Sequence, residues 1–102
     1  MCECDNLAPM IHLITYDLKA PNDTLANYEV LIQGIKSEFG TWCHLEQSVW
    51  LIDTERDAGS VRDILKQYVD DGDVLFVARL RGNWASRNLG AKRGQWLKGR
   101  AF

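Results

Sequence analysis

Nothing in this 102-residue chain is apolar for more than a few residues at a stretch, so no segment can span a bilayer. A basic-then-apolar opening is also missing. The first residues read MCECDNLAP, which predicts a cytoplasmic protein with no secretory leader. Cysteine is scarce and odd in number: Cys2, Cys4 and Cys43 do not make a disulfide framework. Apolar residues at 46% and charged residues at 25% exclude a disordered or collagen-like chain and fit one globular domain. The core of a chain this size is thin, which makes an obligate partner a live expectation. No phosphate-gripping glycine loop exists, because Gly90-x-x-x-Gly94 lacks the Lys-Ser/Thr ending. No nucleophile elbow and no Ser-His-Asp order can be read.

Acid is absent from the last 24 residues. Residues 79–102 carry seven cations instead: Arg79, Arg81, Arg87, Lys92, Arg93, Lys98 and Arg100. Residues 1–78 hold all 14 acidic residues and five basic ones. An acidic body with a basic tail suggests a polyanion partner, or a tail docked on an acidic surface. Trp84 and Trp96 stand among the cations. Aromatic rings between arginines suit single-stranded RNA or DNA, with cations for phosphates and flat faces for bases. The same tryptophans equally suit anchors holding the tail on the body or on a protein partner. Gly82, Gly90, Gly94 and Gly99 argue against a long stable helix there.

What is present alternates in period. Residues 1–9 read as a flexible leader, and Ile11–Tyr16, apolar on both alternating faces, as a buried strand closed by Asp17-Leu18. A turn at Ala20-Pro21-Asn22-Asp23 follows. Tyr28, Leu31, Ile32, Ile35 and Phe39 then form one helical stripe, with Gly40 placed for a left-handed C-cap. Thr41–Leu45 and Val49–Asp53 read as a hairpin. Ser60, with Asp63 three residues on, predicts the start of a second helix whose buried stripe is Val61, Ile64, Leu65, Tyr68 and Val69. Val74–Leu80 is the last strand. The order β-α-β-β-α-β predicts a ferredoxin-like α+β fold, an antiparallel four-stranded sheet with both helices on one face, over residues 10–82, with 83–102 as a basic, Trp-containing tail. Three strands are apolar on both faces, and two helices cover only one. The other face needs a cover: a symmetric second copy, hence a homodimer, or the tail folding back.

This topology gathers one rim of the sheet: Asp17, then His44 and Glu46, then Ser48, then Asp71 and Asp73. Carboxylates with a histidine and a hydroxyl suit Mg²⁺ or Mn²⁺, although turns are rich in Asp and Ser for reasons of their own. His44 is the histidine placed to act as a general acid or base, whereas His12, in a buried strand, reads as a core residue. Cys43 reads as a small packed hydrophobe. Cys2-x-Cys4 lacks a second pair to complete a zinc site.

Two stretches, Ile14-Thr15-Tyr16-Asp17 and Glu46-Gln47-Ser48-Val49-Trp50, resemble CRISPR-associated protein two, the small dimeric subunit of the spacer-acquisition complex. Virulence-associated protein D ribonucleases share the fold. The resemblance covers about residues 10–80. It implies a ferredoxin-like homodimer in which Asp17 holds a divalent metal for phosphodiester cleavage, with Ser48 beside it. No arginine stands between Asp17 and Arg56, where the family usually has one, and the Trp-containing tail is not a family feature; both mark a divergent, stand-alone member. The expectation is therefore a nucleic-acid-binding homodimer with metal-dependent, nuclease-like activity on RNA or DNA, set against a non-catalytic dimeric module that binds protein.

Overall fold

The computed structural model of the protein describes residues 10–19, 24–100 and 102. The expected leader with Cys2 and Cys4, and the turn at 20–23, lie outside the described residues. The elements are β1 (Met10–Asp17), α1 (Thr24–Glu38), β2 (Trp42–Glu46), β3 (Val49–Thr54), α2 (Ala58–Leu65), β4 (Val74–Leu80) and α3 (Ala91–Lys98). The four strands form one antiparallel sheet in the order β2-β3-β1-β4. This is the ferredoxin-like α+β arrangement that the alternating periods predict.

Strand pleating divides the apolar residues between two cores. On the helix side, Ile14, Tyr16, Trp50 and Ile52 pack with Leu31, Ile35 and Phe39 of the first helical stripe and Val61 and Leu65 of the second. Buried His12 also has this alternation; its Nε2 lies 2.7 Å from the Arg56 carbonyl, so that nitrogen donates, and Nδ1 has no partner among the described residues. Two local expectations change. Asp57, not Ser60, caps α2, because its carboxylate accepts the Ser60 backbone N–H at 2.8 Å. Gly40 does not take up the left-handed conformation; buried Phe39 fixes the exit from α1, its N–H bonded to the Ile35 carbonyl at 3.1 Å.

The second face carries Ile11, Leu13, Cys43 and Leu51, and its cover is the tail. Leu97 completes their cluster, and Leu89, Trp96 and Phe102 pack against it. Leu89, α3 and Phe102 are therefore part of the second core, and the tail is not a free appendage. Two glycines with φ of 86° let the chain fold back: Gly82 as it leaves β4, and Gly90 immediately before α3. Burial of Leu97 holds α3 together despite Gly94, and Gly99 ends it after eight residues.

The tail does not reach across the whole face. Val74 and Phe76, at the β4 end, remain 50% and 56% exposed.

Candidate nucleic-acid interface

β2 is an edge strand, and its alternation aims Trp42 and His44 toward the helix side beside Trp50 of β3. The His44 ring stacks on the Trp50 indole, centroids 4.0 Å apart and planes 9° from parallel, and Trp42 tilts against the same indole at 5.3 Å. Hydrogen bonds fix this group. The Trp50 Nε1–H donates to the Tyr16 hydroxyl at 2.9 Å, Tyr16 donates to the Gln47 carbonyl at 3.4 Å, and His44 Nε2 lies 3.2 Å from that same carbonyl. Burial pushes the Tyr16 phenol above its ordinary 10.0. From α1, the Lys36 ammonium sits 5.0 Å from the Trp42 ring and 6.0 Å from that of Trp50.

The tail supplies the other wall. Trp42, Cys43 and His44 of β2 and Lys92, Arg93 and Trp96 of α3 line an open cleft of about 340 Å³. Arg93 Nη1 donates to the Leu45 carbonyl at 2.8 Å, which ties α3 to β2 where Leu45 is the extra residue of a bulge. Trp96 is held from behind by the Arg100 guanidinium at 4.2 Å. Arg100 Nε in turn lies 3.0 Å from Asp53 Oδ2 in a mostly buried ion pair, off the line of a good hydrogen bond. Desolvation raises the Cys43 thiol pKa, and Arg93 and Arg100 oppose the shift.

The expected site residues share one end of the sheet but not one face. Asp17 follows the alternation of the second face, whereas His44 lies on the helix side, so the sheet separates them. Ser48 is half-buried in the turn between β2 and β3. Asp17 is exposed and paired with Lys19 at 2.6 Å. Both oxygens of Asp73 are taken by backbone N–H groups, of Lys19 at 2.7 Å and Asp70 at 2.8 Å. Among the described residues, no three His, Cys, Asp or Glu side chains come together as a metal site. The described residues of one copy thus do not gather around Asp17 the donors that Mg²⁺ or Mn²⁺ needs.

The expected nucleic-acid residues also divide. Lys92, Arg93 and Trp96 line the cleft, with Arg100 behind Trp96. Arg79 is exposed on β4 at the opposite edge of the sheet, and Trp84 packs near Phe102, centroids 6.0 Å apart. Arg87 borders a second, largely apolar cavity under the tail, while Arg81 and Lys98 are exposed away from both. Sequence reasoning missed Lys36 and Trp42. The readable signal was the period-two pair Trp42 and His44 on one strand with Trp50 across the hairpin. No family model, curated protein or solved structure matches the chain.

Proposed function

We propose that this protein binds single-stranded nucleic acid in the cleft between β2 and α3. One observation carries the reading: the fold gathers cations from two distant segments, Lys36 and the pair Lys92 and Arg93, around the rings of Trp42, His44 and Trp96. Cations along a groove with flat rings between them hold phosphates and stack bases without reading sequence. The reading is of a binding protein. The Asp17 carboxylate and the His44 imidazole lie on opposite faces of the sheet, and no catalytic step is assigned to them.

Fluorescence anisotropy with labelled oligo-dT and oligo-U tests this. Engagement of three phosphates by Lys36, Lys92 and Arg93 gives a log–log salt slope of about −2. The double variant Lys36→Glu/Lys92→Glu is expected to weaken binding by about tenfold or more and flatten the slope. Arg62→Glu, exposed on α2 and away from the cleft, is expected to leave both unchanged. No binding at low salt, or binding indifferent to the double variant, sinks the proposal and leaves the protein-interaction module as the better account.

A further inference from the structure

The two edges of the sheet are treated differently. At the β2 edge, α3 lies alongside, the Leu45 bulge interrupts the ladder and Arg93 takes up the Leu45 carbonyl. These are protections against strand addition. β4 has none of them: among the described residues it pairs only with β1, contains no proline or bulge, and carries the exposed Val74 and Phe76 on the second face.

We propose that the outer edge of β4 docks on β4 of a second copy, antiparallel about a two-fold axis at Phe76. The sequence of the strand matches itself in that register and no other partner is needed. Phe76 meets its own copy, Val74 meets Ala78 and Leu75 meets Val77, so apolar residues oppose apolar ones on both faces. Asp73, immediately before the strand, comes opposite Arg79 near its end, and Asp71, in the turn before it, comes toward Arg81 just past the strand. Every favourable pair occurs twice, as a two-fold contact requires. A parallel arrangement would instead set acid beside acid and arginine beside arginine. Opposite charges directly across a strand pair are favourable and like charges are not.

The assembly is one eight-stranded sheet, β2-β3-β1-β4 continued by β4-β1-β3-β2 of the copy. The two β1 strands are separated by both β4 strands, so the two Asp17 carboxylates do not share an ion in this arrangement. Seven strand spacings separate the outermost strands, roughly 34 Å. If the nucleic-acid reading holds, the dimer carries one cleft at each end of the sheet; the strand pairing itself does not depend on that reading.

The test uses the full chain. Sedimentation equilibrium across the micromolar range is expected to show a concentration-dependent dimer. Arg79→Asp, which sets Asp against Asp73 twice, is expected to weaken it by about tenfold or more. In a Cys2→Ser/Cys4→Ser background, Phe76→Cys places two thiols opposite each other at a Cα separation of about 5 Å, within disulfide reach. A mild oxidant then links the two copies, whereas Ala78→Cys in the same background, displaced along the strand from its own copy, stays unlinked. A chain that is monomeric throughout, or a dimer that links through Ala78→Cys and not through Phe76→Cys, overturns the proposal. Oligonucleotide binding by a strictly monomeric chain would retain the cleft and discard the dimer.

Discussion

On the helix side of the sheet, Ile14, Trp50, Ile52, Leu31, Ile35, Val61 and Leu65 are excluded from water by two helices. On the opposite side, Ile11, Leu51 and Cys43 are as deeply buried, but their cover is an irregular segment ending in an eight-residue helix, and it stops short of Val74 and Phe76. The strands carry similar apolar alternation toward both sides. The difference lies in the covering segments: amphipathic helices of regular period on one side, a glycine-punctuated basic tail on the other. An apolar strand face therefore demands a cover without specifying whether it comes from the same chain or from another copy. In this fold, the tail supplies the cover over Ile11, Leu51 and Cys43 and leaves Val74 and Phe76 exposed.

The largest effect should come from breaking the helix side. Trp50 is fully buried, stacks with His44 and donates to Tyr16, so Trp50→Ala removes a large side chain and orphans the polar contacts around it. A loss of about 3–5 kcal/mol in urea denaturation is expected. That is a large part of the stability of a domain this size and should bring it close to unfolding.

Leu97→Ala applies the same operation to the tail side. Leu97 is the one buried residue of α3. Its truncation is expected to cost about 2–3 kcal/mol, toward the lower end for Leu→Ala because a short terminal helix can relax into the space. It should also loosen the α3 wall of the cleft and weaken oligonucleotide binding together with stability. A neutral Leu97→Ala would mean that the tail is not docked in solution and that the second face is bare.

How much of this was legible follows the same division. The first helical stripe, Tyr28 to Phe39, was readable because a 3.6-residue period leaves a regular mark. The second holds only from Val61 to Leu65, where α2 ends and the chain tightens into a 3-10 turn at Lys66–Tyr68 before Val69 becomes extended. The strand order followed from both. The α2 start was misplaced because Ser60 and Asp57 are both good capping residues, and only geometry shows which oxygen meets a free N–H. The rim of Asp17, His44 and Ser48 was right in topology, since all lie at one end of the sheet, and incomplete in parity, since alternation sends Asp17 and His44 to opposite faces. That parity was available in the sequence. The meeting of Lys36 with the Lys92 and Arg93 cleft at Trp42 was not, because it depends on where the tail docks. Trp96 fitted equally an anchor and a base-stacking surface, and in the fold it packs against the second core while still lining the cleft.

The ion pair between Asp53 and Arg100 gives a smaller, more local effect. It joins β3 to the end of the tail, and both side chains are mostly buried. Asp53→Ala leaves the guanidinium with Trp96 but without its counter-charge, at an expected cost of about 1–2 kcal/mol, discounted from a fully buried pair for the water that still reaches it. Arg100→Ala loses the packing on Trp96 as well. If the two single variants and the double variant are equally stable to the wild type, the pair contributes nothing and Leu97 alone seats the tail.

Alkaline titration separates the two sides most finely. Each core buries one weak acid that is neutral when protonated: Cys43 under the tail, ordinary pKa 9.0, and Tyr16 under the helices, ordinary pKa 10.0. Burial raises both. In the unfolded chain the thiol therefore ionises at a lower pH than in the folded one. Above pH 9.0 the unfolded state holds fewer protons, and stability falls as pH rises. The thiol's contribution is fully present below 9.0 and is lost as pH climbs through its raised folded value; the phenol repeats the pattern from 10.0 upward. The tail side should thus weaken first. Urea midpoints measured at intervals of pH for the wild type, Cys43→Ala and Tyr16→Phe read this directly, because each substitution removes one titration and leaves the lysines common to all three. The difference between wild type and Cys43→Ala should begin to change above pH 9, and that between wild type and Tyr16→Phe only above pH 10. Parallel profiles for wild type and Cys43→Ala would mean that water reaches the thiol in the native state, and hence that the tail opens far more readily than its packing implies.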